Sequence, residues 1–394
     1  MRFVKESLKI MRDVVSSLLS YKKPKYIDAI AIIRVDAIGD YLLFRNFLEE
    51  IKNHYSNSKI TLIGNYSYMN LAINLDSQYF DNAFWIDRKK FAKNLIYRIY
   101  FLRKIKTFKY GLCINPIYSR DSISDFIAKN IYANEKIAFS GDIHISNQST
   151  KIYTKLIEGN KNIIFEFYRN KEFFCKIFKK ELNTKLHIDK TKLPRIEYLK
   201  NKFNLPQNYN VLFIGASSDY RKWSIENFAE VGAYLINSCN ESVIICGGKE
   251  DSNNAYKLEN LIYANLDSNL QNKIKSNNLK ILNLVGKSSL MELGSIVYNG
   301  NLLISNETSC VHLGSILDTT IIIVVSNGNH LGRFIPYPKE IRDKYYPVFH
   351  PFIENNIDKY RELSNQFAYK STLNINEIDA SKIINLIDKR RKND

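Results

Sequence analysis

The sequence has few of the residues that mark disulfide scaffolds, membrane spans or disordered chains. Of 394 residues, only five are Cys and eight are Pro. The odd number of cysteines, with no C-x-x-C pair, argues against a zinc site and indicates a reducing compartment. No apolar run approaches the ~20 residues that cross a bilayer, and the N-terminus does not follow the pattern of a cleaved signal peptide. We therefore expect a cytoplasmic protein.

Several motifs with well-understood chemistry are also missing. No G-x-G-x-x-G follows a predicted strand, and there is no G-x-x-x-x-G-K-[ST], H-E-x-x-H or G-x-S-x-G. These absences argue against a dinucleotide oxidoreductase and a P-loop enzyme. Asp-x-Asp, which often holds a divalent metal against a diphosphate, does not occur. If the protein handles a nucleotide diphosphate, we expect cationic side chains and helix N-termini to neutralise it.

Acidic residues are under-represented relative to basic ones. The chain has 57 Lys and Arg against 40 Asp and Glu, a net charge of +17. Such a surplus favours an anionic partner: a phosphorylated substrate, an acidic membrane face or nucleic acid. With 45% hydrophobic and 25% charged residues, the composition is that of an ordinary globular protein. The length predicts two domains.

The order of predicted elements indicates an α/β protein with two doubly wound, Rossmann-like parallel-sheet domains. Short buried strands alternate with helices from residue 29 and again from residue 211. Ligands bind to such folds at the carboxyl ends of the strands. The predicted division is an N-terminal helix over 1–25, a first domain over 26–190, a linker over 191–208, a second domain over 209–374, and a C-terminal helix with a basic tail over 375–394.

Residues 1–20 predict a basic amphipathic helix. Its apolar positions, which share one stripe, are Val4, Leu8, Met11, Val15 and Leu18. Such a helix can lie on an anionic membrane surface. It can equally cover the core of its own domain with the apolar stripe, and the sequence leaves both interpretations open.

The segment RVDAIGD (34–40) ends the first predicted strand of the first domain. Gly39 lets the backbone turn tightly. Asp36 and Asp40 are four residues apart at a strand–helix junction, where like charge and partial burial raise a carboxylate pKa toward that of a general base. The alternative is structural: Asp36 caps the helix and Asp40 complements its dipole.

Two segments of the second domain are candidates for binding an anion. GASSDYRKWSIENF (215–228) follows a strand and places Ser217, Arg221 and Lys222 where a leaving group could be neutralised. The alternative is a surface turn with two solvated cations.

SNETSCVHLGS (305–315) runs from a strand into a helix. The backbone N–H groups of Thr308 and Ser309 would form an anion pocket at the helix start. Glu307 could accept hydrogen bonds from sugar hydroxyls. His312 lies one turn further along, where a histidine is more often packed than catalytic.

These segments, in this order, resemble glycosyltransferase family 9, the ADP-heptose:lipopolysaccharide heptosyltransferases and their relatives. RVDAIGD is similar to the family's N-terminal motif of a basic residue, a short loop and Gly-Asp. LVGKSSLMELGSIV (284–297) is similar to its Gly-Lys-x-Ser-Leu-x-Glu-Leu helix, and the two second-domain segments are similar to its remaining motifs. The resemblance covers residues 27–75 and 205–340.

The resemblance implies a GT-B arrangement, in which two Rossmann-like domains face each other across a cleft. It implies an inverting, metal-independent enzyme, with no cofactor, that moves a heptose or related sugar from a donor such as ADP-heptose. Asp40 would be the general base, Arg221 with the N–H groups of Thr308 and Ser309 would hold the diphosphate, and Glu307 would contact the donor sugar. Glu307 replaces the family's usual Asp, which leaves the identity of the donor sugar open. Ser309 replaces its usual Gly, which keeps the N–H but adds a side chain near the phosphates. His312 matches the family's His.

An anionic glycolipid of the lipopolysaccharide type would suit the charge of +17 as acceptor. Peripheral contact with the cytoplasmic face of the inner membrane would follow, and nucleic acid is not expected. A loop over 328–338 could present Asn329, His330 and Arg333 to the cleft, or could be an ordinary structured loop. Two alternatives stay open: a non-catalytic basic protein that binds anionic lipid or nucleic acid, and a relative that glycosylates protein.

Overall fold

The computed structural model describes residues 2–142, 150–276, 279–319 and 321–391, with side chains from Leu8 to Arg390 within those ranges. The chain folds into two compact units. The first comprises Met1–Lys161 and Glu166–Lys185, and the second comprises Asn162–Phe165 and Leu186–Asp394. We refer to them as the first and the second unit.

The first unit is built on a seven-stranded, all-parallel sheet. Its strands are β1 (Lys25–Tyr26), β2 (Ala29–Arg34), β3 (Lys59–Asn65), β4 (Asn82–Ile86), β5 (Phe108–Asn115), β6 (Tyr132–Phe139) and β7 (Lys155–Ile157). Its described helices are α1 (Arg2–Leu19), α2 (Ile38–Phe44), α3 (Phe47–His54), α4 (Met69–Asp76), α5 (Arg88–Lys93), α6 (Leu95–Ile105), α7 (Ser122–Asn130) and α8 (Glu166–Phe178). The strand order is β4-β3-β2-β5-β6-β7, and β1 pairs with β5.

The second unit is built on a six-stranded, all-parallel sheet of order β10-β9-β8-β11-β12-β13. Its strands are β8 (Tyr209–Phe213), β9 (Ser242–Cys246), β10 (Ile281–Asn283), β11 (Leu302–Asn306), β12 (Ile322–Ser326) and β13 (Tyr345–Phe349). Its described helices are α9 (Ile196–Phe203), α10 (Ile225–Asn237), α11 (Ser252–Ala264), α12 (Ser268–Lys275), α13 (Leu290–Tyr298), α14 (Ser309–Leu317), α15 (Pro351–Glu354), α16 (Tyr360–Phe367) and α17 (Ala380–Arg391).

In each sheet the strand order changes direction next to one central strand, β2 in the first unit and β8 in the second. The reversal lies between β2 and β5 in the first unit and between β8 and β11 in the second. Strands β2, β8 and β11 are buried along their whole length, which their near-continuous apolar sequences predict. At a reversal the connections leave in opposite directions and open a crevice at the carboxyl ends of the strands. The predicted fold class, two Rossmann-like parallel-sheet units, is confirmed.

Three predicted elements differ in detail. The residue pattern from Asp40 to His54 predicts one helix, but the structure has two, α2 and α3. The pattern over 91–106 also predicts one helix, but α5 ends at Lys93 and α6 begins at Leu95, because Asn94 is extended and its side chain accepts a hydrogen bond from Tyr97 N at the start of α6. The predicted linker over 191–208 contains α9, and all of it belongs to the second unit, whose longer segment starts at Leu186.

Helix α1 is present as predicted, but its apolar stripe does not cover the core. The helix packs on α6 through its polar side, with Asp13 ion-paired to Arg98. Leu8, Met11 and Leu18 of the stripe are exposed. Val4, with Arg2 and Lys5, lies outside the described side chains.

A buried ion pair fixes helix α2 against α4. Asp76 is fully buried and accepts hydrogen bonds from Tyr41 Oη at 2.7 Å and from Arg45 Nε and Nη2 at 3.0 and 2.6 Å. Burial, and then the negative charge of Asp76, raise the pKa of Tyr41 well above its ordinary value, so the phenol remains a donor. The tyrosine ring also stacks on Tyr68, with centroids 4.1 Å apart. The network therefore holds the helix that carries Asp40.

We predict that Asp76→Asn destabilises the protein by about 3 to 5 kcal/mol, because it removes the negative charge that is ion-paired with the buried guanidinium of Arg45. Lys52→Ala is the matched control in the same unit. It breaks the Lys52–Asp81 pair, whose side chains are 31% and 35% exposed, and should cost at most about 1 kcal/mol. Chemical denaturation measures both. Equal losses would show that burial of the network adds nothing.

Candidate functional site

The crevice of the first unit contains a pocket of about 210 Å³ at the carboxyl ends of four strands. Its lining residues are Asp36, Ala37, Asn65, Arg88, Ile117, Ser119 and Asp121. They follow β2, β3, β4 and β5, so residues far apart in sequence meet at one sheet edge. Five of the seven lining residues have polar side chains, which suits a ligand with hydroxyl groups.

Arg34, the last residue of β2, organises the loop that precedes α2. Its side chain is fully buried, with Nε 3.1 Å from Asp36 Oδ1 and Nη2 donating to the backbone oxygen of Asp40 at 3.0 Å. Nη1 donates to Asn170 Oδ1 at 3.2 Å, and the guanidinium lies 5.0 Å from the ring centre of Phe44. One arginine thus fixes both predicted acidic positions.

The two carboxylates of RVDAIGD have different environments. Asp36 is 17% exposed. Burial raises the pKa of its carboxyl well above the ordinary value, while Arg34 lowers it and Asp40 raises it further. The predicted alternative for Asp36 is wrong, because Ala37 and not Asp36 is the N-cap of α2.

Asp40 lies in the first turn of α2, and its Oδ2 accepts a hydrogen bond from Ala37 N at 3.2 Å. Within the described residues, no other group donates to this carboxylate. Its contact with the helix start agrees with the structural alternative. Asp40 is half-buried and is not among the residues that line the pocket, and its Oδ1 accepts no hydrogen bond from the described residues. Gly39 is buried in the same turn.

The crevice of the second unit is organised by a buried ion pair between Arg221 and Glu307. Arg221 Nη2 binds the carboxylate and the backbone oxygen of Glu307, and Nη1 donates to Ser217 Oγ at 2.9 Å. Arg221 Nε is buried and has no partner in the described part of the chain. The loop after β8 and the loop after β11 are therefore joined by one guanidinium.

The acid of this pair also contacts a histidine. His330 Nδ1 lies 3.4 Å from Glu307 Oε2. Burial acts to raise the pKa of Glu307, but the positive charges of Arg221 and His330 outweigh it and the net pKa is lowered. Glu307 is thus a carboxylate fixed between two basic side chains. His330 belongs to the loop over 328–338, and its backbone has φ of 63°, a left-handed conformation.

Helix α14 begins directly after this acid. Thr308 is its extended N-cap residue, with no side-chain capping bond, and Ser309 is its first residue. Both side chains are half-buried. The N-terminal N–H groups of a helix attract anions, and here they stand beside Arg221. The structure brings together Ser217, Arg221, Glu307, Thr308 and Ser309, as the sequence predicts.

Two predicted binding residues have other contacts. Lys222 Nζ lies 3.0 Å from Asp251 Oδ1, a carboxylate that is 2% exposed, and does not approach Glu307. His312 Nδ1 lies 2.8 Å from Tyr337 Oη, and the histidine is buried. Their positions fit a structural role, which the sequence analysis favoured for His312 and did not foresee for Lys222.

Other site residues could not be found from a motif. Asn65 Nδ2 donates to the backbone oxygen of Asp36 at 2.8 Å, and Arg88 Nη1 donates to that of Val35 at 2.8 Å. Arg88 also pairs with Asp121. Their only signal in the sequence is their place directly after predicted strands. Among the described residues, no group of three His, Cys, Asp or Glu side chains could hold a metal ion.

A second and larger pocket, of about 470 Å³, lies beside the first one. It is lined mainly by aromatic side chains from the ends of β3 and β4 and from α6: Tyr66, Phe84, Trp85, Tyr97, Tyr100 and Phe101. Lys90 and Lys104 add positive charge. Tyr66 and Asn65 are neighbours in sequence, so the two pockets adjoin at the end of β3.

We predict that Glu307→Gln lowers stability by about 3 kcal/mol near pH 7, because it removes one charge of a buried pair. The folded-state pKa of Glu307 is lowered, so its stabilisation is present above the unfolded-state pKa and lost as the pH falls. The deficit in Tm should therefore shrink toward about pH 4. Glu230→Gln, at an exposed position, is the control and should change little at either pH. A deficit independent of pH would contradict the charge argument.

Comparison with known proteins agrees with this geometry. Residues 154–341 match the sequence model of Glycosyltransferase family 9 (heptosyltransferase). The range includes the three second-unit motifs, and RVDAIGD lies outside it. No curated protein matches the chain in sequence.

Similar solved structures cover nearly the whole chain. A glycosyl transferase family 9 protein from Veillonella parvula is 16% identical, with a TM-score of 0.63, over 92% of this chain and 96% of that one. E. coli heptosyltransferase WaaC with ADP is 14% identical, with a TM-score of 0.63, over 92% and 99%. E. coli ADP-heptose lps heptosyltransferase II is 13% identical, with a TM-score of 0.56, over 86% and 98%. At these identities the likeness shows the fold.

The family match and the geometry lead to one conclusion. The second unit combines a family 9 sequence signature with a buried arginine at a helix start, and both units have the fold of the heptosyltransferase structures. The resemblance predicted from the motifs is confirmed, and the chain is a glycosyltransferase that resembles the heptosyltransferases of family 9.

Proposed function

We propose that this glycosyltransferase moves a heptose or a closely related sugar from a nucleotide diphosphate sugar to an anionic glycolipid of the lipopolysaccharide type, with inversion and without a metal ion. The observation that carries the proposal is the complementary chemistry of the two crevices. One presents Asp36 and Asp121 in a pocket of about 210 Å³, with Asp40 in the helix that follows Asp36, and the other presents a buried arginine beside a helix N-terminus. The first suits a nucleophile, and the second suits a diphosphate.

The acceptor would bind in the pocket of the first unit. Its lining of Asn65, Ser119 and Asp121 offers hydrogen bonds to sugar hydroxyls, and Arg88 offers charge to a phosphate or carboxylate on the glycan. Asp40 is the proposed general base. Its free oxygen would accept the proton of the attacking hydroxyl, which makes that oxygen a stronger nucleophile.

The donor would bind in the crevice of the second unit. Arg221 and the N–H groups at Thr308 and Ser309 would hold the diphosphate oxygens, a set that gives both charge and directed donors. Glu307 holds Arg221, so we propose that it positions this arginine in addition to any contact with the donor sugar. WaaC has been solved with ADP and with ADP-2-deoxy-2-fluoro heptose, which supports an ADP-sugar as the first donor to test.

The reaction is a single displacement. The acceptor oxygen forms a bond to the anomeric carbon as the bond from that carbon to the diphosphate oxygen breaks, so the configuration inverts. The proton moves to Asp40, and the electron pair of the broken bond leaves with the diphosphate. Fixed positive charge near the leaving group stabilises the transition state without reorganisation. Arg221 and the start of α14 would supply it, so no metal ion is required.

The location that suits this reaction is the cytoplasmic face of the inner membrane, where a glycolipid acceptor and a soluble nucleotide sugar meet. In the described part of the chain, no helix combines the length and hydropathy needed to cross a bilayer.

We predict that Asp40→Asn lowers kcat by roughly 10²- to 10⁴-fold, the usual contribution of a general base. The amide can still accept the hydrogen bond from Ala37 N, so folding should be unchanged. Asp28 precedes β2 and so lies at the end of that strand opposite to the crevice. Asp28→Asn is therefore the matched control and should retain activity. Transfer of radiolabelled sugar gives the rate. If Asp40→Asn keeps near-normal turnover while Asp36→Asn abolishes it, the base is Asp36 instead.

We further predict that one of the ADP-, GDP- or UDP-sugars raises the Tm, since a ligand that binds only the folded state stabilises it. The shift should persist in EDTA. Arg221→Ala should weaken binding roughly tenfold to a hundredfold through loss of charge-assisted hydrogen bonds. Lys257→Ala, which removes an exposed cation in the same unit, should not weaken it. The proposal fails if no nucleotide sugar shifts the Tm, and its metal-independent part fails if EDTA abolishes the shift.

A further inference from the structure

Helix α1 is attached to the first unit by its polar side. Asp13 pairs with Arg98 at 2.7 Å, and Lys106 Nζ donates to Ser17 O and Ser20 Oγ at 3.0 and 2.9 Å. Arg103 Nε donates to Leu19 O at 3.2 Å. A helix that covers a protein core does the reverse and buries its apolar side. These polar contacts fix the orientation of α1 on its unit.

The apolar side of α1 therefore faces outward. Its exposed large hydrophobic residues are Leu8, Ile10, Met11, Val14, Leu18 and Leu19, followed by Tyr21. They range from 49% exposed at Leu8 to 69% at Leu18 and 72% at Tyr21. Apolar side chains gathered on one helix face in this way mark an interaction site. We call this surface the α1 face.

Helix α6, on which α1 packs, adds to the exposed apolar surface. Ile96 is 80% exposed and Tyr100 56%. Lys104 Nζ lies 4.5 Å from the ring centre of Tyr100. A mixture of apolar, aromatic and lysine side chains is typical of surfaces at the level of lipid headgroups.

Charge decides between possible partners of the α1 face. From residue 8 to residue 26 the chain has five basic residues and one acidic residue, Asp13, which is already paired with Arg98. Three of the five, Lys22, Lys23 and Lys25, follow the helix directly and are exposed. An anionic lipid surface complements this combination. A second copy of the chain would bring the same lysines to the same interface.

We propose that α1 is an interfacial membrane helix, which lies in the plane of an anionic lipid surface with its α1 face in the acyl boundary and Lys22, Lys23 and Lys25 on the headgroups. The proposal that the α1 face binds lipid does not depend on the proposed function. The purpose of that binding, to bring the enzyme to a glycolipid acceptor, rests on the proposed function.

The attachment of α1 also determines which side of the first unit meets the lipid. Its later residues contact the end of α6, whereas Arg12 Nη1 donates to the backbone oxygen of Ala92 in α5. Helix α5 begins with Arg88, which lines the crevice pocket. At Arg12, α1 thus lies nearer the crevice end of the sheet than its last turn does. A helix held in the headgroup layer would keep the acceptor pocket near the lipid surface.

The test is flotation of the full-length protein with vesicles of phosphatidylcholine alone or mixed equally with phosphatidylglycerol. We expect binding to the anionic vesicles, reduced by salt, and little binding to the neutral ones. The double variant Met11→Asp/Leu18→Asp should bind at least about tenfold more weakly, because it places two charges in the acyl boundary. Tyr256→Asp/Ile357→Asp, at positions 67% and 48% exposed in the second unit, is the matched control and should bind normally.

Charge reversal provides a second variant. Lys22→Glu/Lys23→Glu should weaken binding to anionic vesicles at least about tenfold, since each lysine near such a surface contributes roughly fivefold. These positions are exposed and follow the helix, so folding should be unaffected, and circular dichroism and Tm check this. Equal binding to neutral and anionic vesicles, or binding that neither double variant reduces, would overturn the proposal.

The competing partner is scored in the same samples. Sedimentation equilibrium without lipid would reveal a dimer. The α1 face would be assigned to a second copy if Met11→Asp/Leu18→Asp converts that dimer to a monomer and the wild type does not bind vesicles.

Transfer to a delipidated, water-soluble acceptor separates this proposal from the proposed function. The α1 variants should retain that transfer. Its absence in the wild type would count against the transferase proposal alone, because flotation is measured independently.

Discussion

Both crevices depend on the burial of an arginine that an acid neutralises. A guanidinium stays charged at every relevant pH, and moving it out of water costs several kcal/mol unless a counter-charge accompanies it. Arg34 is held by Asp36 and Arg221 by Glu307, each at the point where its sheet reverses strand order. Fold topology opens the crevice, and the ion pair fixes the loops around it. Polar groups fixed before a ligand arrives need no reorganisation when charge develops.

The sequence predicted the strands of the second unit well because they are buried along their whole length. β8, β9, β11 and β12 are short apolar runs with every residue buried, so no alternation with exposed positions obscures them. Helix α9 was missed for the opposite reason. It buries only Leu199, and a helix with one buried position has almost no apolar periodicity. The break between α5 and α6 was missed because the side chain of Asn94, which caps α6, cannot be told from that of any polar surface residue in the sequence.

In the candidate site, too, the sequence predicts where residues lie along the chain better than it predicts their tertiary contacts. Asp36, Asp40, Arg221 and Glu307 lie in the segments that connect a strand to the next helix or in its first turn, and strand ends can be found from sequence. What each residue contacts depends on tertiary structure. Arg221 ends a short turn and reaches Glu307, whereas Lys222 is extended and reaches Asp251 on a different loop. Two adjacent cations that look equivalent in sequence therefore differ in their availability to a ligand.

Asp36 and Asp40 show what the spacing of two acids in a sequence can and cannot predict. The spacing identifies both as candidate bases, but it does not say which of them takes the proton. Arg34 contacts the carboxylate of Asp36 and only the backbone oxygen of Asp40. Asp36 is thereby the counter-charge of a buried guanidinium, although burial raises the pKa of its carboxyl, and a proton transferred to it would leave Arg34 without that counter-charge. Asp40 accepts a single backbone hydrogen bond at a helix start and has no ion-pair partner among the described residues. A base that can be protonated without disrupting an ion pair suits repeated turnover better. This difference between the two acids favours Asp40 as the base. It arises from Arg34, which is part of the motif, but the direction in which its side chain points is determined by the fold.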